Sequence, residues 1–125
     1  MTVALWTILA AALLPYLCAA AAKYGGPGYD NARPRSSLEA LGGWRQRADW
    51  AQRNHFEAFP PFAAGVLTAE LVHANQGLID ALALLFIAVR IAYTAAYILD
   101  APTLRSALFG LGLACVIGLF CSGAL

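Results

Sequence analysis

The sequence predicts an all-α membrane protein, a bundle of four transmembrane helices forming one domain. Three observations carry that reading. Of the 125 residues, 61% are hydrophobic and only 12% charged, about half the charge of an ordinary soluble domain and too little to cover a water-facing surface. The apolar residues gather into runs long enough to cross a bilayer. The breaks between those runs gather glycines, basic residues and half of the prolines. A net charge of +1 gives no footprint for nucleic acid.

The first run, Val3–Ala22, carries only Thr7 and Tyr16 as polar groups. Its length suits about 30 Å of hydrocarbon at roughly 1.5 Å per residue. Ala19–Ala22 resembles a cleavage site, yet Met1–Trp6 lacks Lys and Arg and the apolar core is longer than that of a signal peptide. A retained span, about 2–22, is therefore expected. Lys23–Gly43 follows, rich in Gly and Pro, and reads as a solvated connection that interrupts any helix. The second helix, about 44–74, is polar in its first half and apolar over Phe56–Val72 apart from Glu57, Thr68 and Glu70. At about 45 Å it exceeds the hydrocarbon thickness, so its start projects from the membrane. Pro60 and Pro61 are expected to kink it. His73–Gly77 is a tight turn. The third helix, about 78–99, has Arg90 as its internal charge, and Asp100–Thr103 makes the next turn. The fourth, about 103–124, has no charge after Arg105.

Basic residues set the orientation. Lys23, Arg33, Arg35, Arg45 and Arg47 cluster between the first two spans, and Arg105 follows the last turn. Both of these connections are expected to face the cytoplasm, with both termini outside. Cys18, Cys115 and Cys121 lie in apolar runs, odd in number and without metal-ligand spacing, so they read as small hydrophobes. No metal site is expected.

Polar groups are expensive in lipid, at least about 2.5–3.5 kcal/mol for a central charge, so their placement is informative. Arg90 lies about 12 Å inside the cytoplasmic end of its helix, and Glu57 is expected at a similar depth on the second helix, close enough to pair with it. Arg47, Asn54, Glu57 and Pro61 share one stripe of the second helix. Arg90, Tyr93 and Tyr97 share a stripe of the third. Arg105 sits in the first turn of the fourth, where a cation opposes the helix macrodipole unless an anion is near. Beyond Arg90 the first, third and fourth helices are expected to be apolar toward the outside, which argues against a transport path. The set defines a cytoplasm-facing cavity with Arg90, Arg105, Arg47 or Arg53, one carboxylate, one amide and two phenols. It suits a small zwitterion of mostly anionic character.

The stretches RNHFEAFPP (Arg53–Pro61), RIAYTAAY (Arg90–Tyr97) and PTLRS (Pro102–Ser106) resemble the membrane-associated proteins in eicosanoid and glutathione metabolism, the MAPEG family, in its bacterial type. The resemblance implies a four-helix bundle that forms a homotrimer, with glutathione as co-substrate held between subunits near the cytoplasmic side. It implies glutathione-contacting roles for Asn54, Glu57, Arg90, Tyr93 and Tyr97, with Arg53 or Arg47 assisting. Arg105 is the implied catalytic residue, stabilising the glutathione thiolate. The implied activity is that of a microsomal-type glutathione transferase or peroxidase on lipophilic small molecules dissolved in membrane lipid; the alternative is a non-catalytic membrane protein of the same fold that binds glutathione or lipid. In a bacterium the implied location is the inner membrane. Two positions depart from the pattern: Trp50 stands where several glutathione-using members have Arg, and Tyr93 where some have His.

Overall fold

The computed structural model describes residues 1–124, and among these no strand occurs. The elements are α1 (Val3–Tyr24), α2 (Pro34–Ala40), α3 (Gly43–Leu71), α4 (Gln76–Ile98) and α5 (Pro102–Cys121), closed by a 3₁₀ turn over Ser122–Ala124. Three helices are long and apolar enough to cross a membrane: Val3–Tyr24, Gln76–Ile98 and Pro102–Ala124. The fourth long helix, α3, spans 29 residues. Its mixed composition follows from the polar residues of its first half, in line with the sequence pattern.

α1 packs on α3 and α4, and α5 packs on α4 and α3. The core between them is apolar and tight. Phe62 of α3 stacks on Phe86 of α4 with centroids 3.9 Å apart, and Val66, Ile79, Val116 and Leu119 close around them. Gly65 lets α3 and α5 approach, since a Cβ there would lie 3.2 Å from the Leu119 side chain. The outward faces are apolar too: Leu13, Leu17, Leu84, Ile91, Leu113 and Ile117 are exposed. A surface of that kind is matched to lipid tails rather than to water.

The helix ends explain the turns. Thr2 caps α1, accepting from Leu5 N, and Asn75 caps α4, accepting from Leu78 N. α3 and α4 both finish in Schellman geometry. Ala74 N donates to Ala69 O and His73 N to Glu70 O; Ala101 N donates to Ala96 O and Asp100 N to Tyr97 O. The left-handed position of each motif is filled by a residue with a side chain, His73 at φ 55° and Asp100 at φ 58°.

One expectation about the approach to α3 changes. The helix itself runs through Pro60 and Pro61 as one continuous α-helical element. Its two proline nitrogens have no hydrogen to give the carbonyls of Phe56 and Glu57. The Lys23–Gly43 connection is not helix-free: Pro34 starts the seven-residue α2. A helix this short is not stable alone. Leu38 and Leu41 hold it by packing against Ala22 and Ala48, and Asp30 and Ser37 tie its start to the preceding turn through Asp30 N to Ser37 Oγ at 3.0 Å.

Arginines on α3 close two other helices. Arg45, buried, donates to the carbonyls of Ala22 and Lys23 at the C-terminal end of α1 and of Pro27 in the connection beyond it. Arg47 donates from Nε and Nη2 to Ile98 O of α4, at 3.1 and 2.9 Å. Both place a cation where helix carbonyls are unpaired and the macrodipole is negative.

At the opposite end of the bundle, Asp80 Oδ1 accepts from Ala4 N at 2.9 Å. Glu70 accepts from Thr2 Oγ1 and, at 3.1 Å, from Gln76 Nε2. Asp80 corrects the expectation that α4 is apolar beyond Arg90. The carboxylate is kept there because it caps the N-terminus of α1.

Candidate functional site

A cavity of about 180 Å³ opens between α3, α4 and α5. Its polar end is formed by Asn54 and Glu57 of α3 and Arg90 of α4. Its remaining walls include Pro61, Phe86, Phe109, Leu113 and Val116. Helical spacing explains the α3 contribution: Asn54, Glu57 and Pro61 lie three and four residues apart, so they rise along one face. Gly112 of α5 widens the opposite wall, with the Val89 side chain 3.6 Å from where a Cβ would stand.

Arg90 is 2% exposed. Its Nη2 donates to Asn54 Oδ1 at 2.7 Å, and its Nε donates to His55 Nδ1 at 3.1 Å. Among the described residues the ion pairs are Arg53–Glu39 and Arg53–Asp49, and neither involves Arg90. The expected Arg90–Glu57 pair is therefore replaced by an amide and an imidazole. Glu57 is exposed at the cavity wall, while His55, two positions earlier, faces α4 and reaches the guanidinium first.

From Arg90 a line of stacked groups runs toward α5. The Arg90 guanidinium lies 4.2 Å from the Tyr93 ring centroid. Tyr93 meets Tyr97 edge-on at 5.6 Å, and the Arg105 guanidinium lies 4.6 Å from the Tyr97 centroid. Cation–π contacts of this kind hold the cation in place without neutralising it. Tyr93 is buried, while Tyr97 and Arg105 are partly exposed. Arg105 does not line the Arg90 cavity; it reaches that neighbourhood through the two phenols. Trp50 stands beside the same line, its ring 6.4 Å from Tyr97.

The structure thus brings together Asn54, Glu57, Arg90, Tyr93, Tyr97 and Arg105. The other two candidates have separate commitments. Arg47 holds the C-terminus of α4. Arg53 is exposed, 3.0 Å from Asp49 Oδ2 and 3.5 Å from Glu39 Oε1, and lines a different hollow with Arg35, Gln52 and Phe56. Two residues of the site escape the sequence pattern. His55, 3% exposed, lies within the Arg53–Pro61 stretch. Thr94, four residues after Arg90 and so on its face of the helix, is 2.7 Å from His55 Nε2. A polar residue one helical turn from a buried arginine is the signal that could have found it.

A model of the MAPEG family matches residues 3–125. The chain belongs to the MAPEG family. The match covers essentially the whole chain, more than the second to fourth spans, roughly residues 44–110, over which the resemblance extends. None of the curated proteins and none of the solved structures matches this sequence. The MAPEG family is a family of membrane proteins that includes glutathione transferases. This agrees with the three apolar helices of span length.

Proposed function

We propose that this MAPEG protein binds glutathione and transfers it to lipophilic electrophiles dissolved in the membrane. The observation that carries the reading is Arg90, a guanidinium 2% exposed and lining a cavity with no carboxylate paired to it among the described residues. Burying an unpaired cation costs several kcal/mol, and a ligand carboxylate would offset that cost. Glutathione has two carboxylates, an ammonium that Glu57 can accept, and amides that suit Asn54. Ligand pockets typically occupy about 300–1,000 Å³, so the smaller cavity of one chain fits a site completed by a neighbouring subunit. The reading therefore includes a homotrimer of four-span subunits, and, from the basic residues at the Arg-bearing end, cytoplasmic connections before α3 and after α4.

Chemistry would follow at Arg105. The glutathione thiol loses its proton to water, and the cation stabilises the thiolate. The sulfur attacks the electrophilic carbon, a C–S bond forms, and a leaving anion such as chloride departs with its bonding electrons. The apolar walls from Phe86, Phe109 and Leu113 suit the lipophilic partner. Reconstituted protein should conjugate glutathione to a chlorinated nitrobenzene above the uncatalysed rate, and Arg105→Ala should lose on the order of 100-fold. An Arg105→Ala rate equal to wild type sinks the assignment.

One observation favours a second reading, a non-catalytic glutathione or lipid binder: Trp50 supplies a ring beside Tyr97 where several glutathione-using relatives have a cation. Bound glutathione without ultraviolet thiolate absorbance would decide for it.

A further inference from the structure

Arg90 is held along one edge only. Nε donates to His55 Nδ1 at 3.1 Å, Nη2 lies 2.9 Å from the same nitrogen, and Nη2 also donates to Asn54 Oδ1 at 2.7 Å. An arginine side chain has donors and no acceptor, and it keeps its proton. His55 Nδ1 must then present its lone pair, which puts the ring proton of a neutral imidazole on Nε2. Nε2 is 2.7 Å from Thr94 Oγ1, so the imidazole donates and the hydroxyl accepts. Thr94 commits its own proton to the carbonyl of Arg90, 3.0 Å away. The circuit runs from the Arg90 guanidinium through His55 and Thr94 back to the Arg90 main chain. Reversing any link would set two donors face to face.

We infer that His55 and Thr94 form a positioning pair for Arg90. They occupy the Nε–Nη2 edge, and the two N–H groups of Nη1, which have no hydrogen-bond partner among the described residues, are left for a ligand carboxylate in the cavity. This rests on the glutathione reading for the identity of that ligand. His55 touches Arg90 and not the ligand, so it acts on affinity through orientation. Simple core filling would need only an apolar ring of the same size, packed edge-on to Tyr93 as His55 is at 6.2 Å. That alternative leaves the three directional bonds without a purpose, and the two roles give opposite results on substitution.

The chain has two histidines, and His73 is exposed at the far end of α3, so nitrogen-15 NMR of histidine-labelled protein in nanodiscs is readily assigned, with His73→Asn removing the second signal. The expected result is a His55 ring with bare Nδ1 and protonated Nε2. A ring protonated at Nδ1 overturns the inference. Calorimetric glutathione affinity gives the second readout. His55→Gln keeps an acceptor and a donor and should stay within about threefold of wild type, while His55→Phe keeps the volume and should bind about tenfold more weakly, a loss worth one to two hydrogen bonds. His55→Phe binding as tightly as wild type overturns the inference. Should His55→Phe fail to fold, Thr94→Val against Thr94→Ser carries the same comparison, and equal affinities would again overturn it. If wild-type protein takes up no glutathione, the proposed function fails, and the ring tautomer alone then upholds or rejects the positioning role.

Discussion

The Arg90 guanidinium is held by the His55 imidazole and the Asn54 amide rather than by the Glu57 carboxylate. Spacing puts Arg90 and Glu57 at one depth, and both line one cavity. Which group takes the guanidinium depends on side-chain direction, and that is set by packing rather than by spacing. His55 faces α4 and Glu57 faces the cavity wall, so the imidazole holds the cation. The consequence for stability is asymmetric. Arg90→Ala strands the acceptors on Asn54 and His55 and should destabilise the protein by about 1–3 kcal/mol. Glu57→Ala removes an exposed group without a partner among the described residues and should leave unliganded melting within about 0.5 kcal/mol of wild type. Melting in detergent without ligand checks both. Equal losses would indicate that the two residues are coupled after all.

At the scale of elements, the long helices are legible because apolar runs and Gly/Pro breaks act locally. Their predicted limits fall within a few residues of Val3–Tyr24, Gly43–Leu71, Gln76–Ile98 and Pro102–Cys121. α2 is not legible, because only tertiary contacts of Leu38 and Leu41 stabilise it. The role of the α3 arginines is also hidden: Arg47 stands among the ligand candidates, yet both its bonds go to Ile98 O. Arg45→Ala frees two carbonyl acceptors at the end of α1 and one in the connection beyond it and should cost about 1–3 kcal/mol, with little change in glutathione affinity. A weakened affinity without a lower melting point would place Arg45 in the ligand site instead. The two left-handed turn residues give a prediction of opposite sign. Asp100→Gly removes the strain of a side chain at φ 58° and should raise stability by up to about 1 kcal/mol; a lower melting temperature would show that the Asp100 side chain makes a compensating bond.

At the scale of the whole molecule, composition alone points to lipid as the solvent, because so few charges cannot hydrate the surface of a bundle this size. The family match and the three apolar helices agree with it. The residues that carry the resemblance converge at one end of the bundle, with Arg53 set apart by its pairing with Asp49 and Glu39. What one chain's sequence cannot encode locally is the neighbour that would close a cavity of this size. If the site is shared, glutathione should stabilise the oligomer, and a ligand present at 100 times its Kd should add about 2.7 kcal/mol. Native mass spectrometry from detergent should show a trimer that survives harsher activation with glutathione bound; a monomer carrying glutathione would remove the shared site.

The most direct measurement is equilibrium binding of glutathione to wild-type protein and to folded Arg90→Gln, followed by calorimetry in the same detergent. The expected result is saturable binding by wild type that weakens at least about tenfold in Arg90→Gln, because a charge-assisted bond to a ligand carboxylate is lost. Equal affinity of the two proteins, or none in wild type, would contradict a buried guanidinium kept free for an anionic ligand.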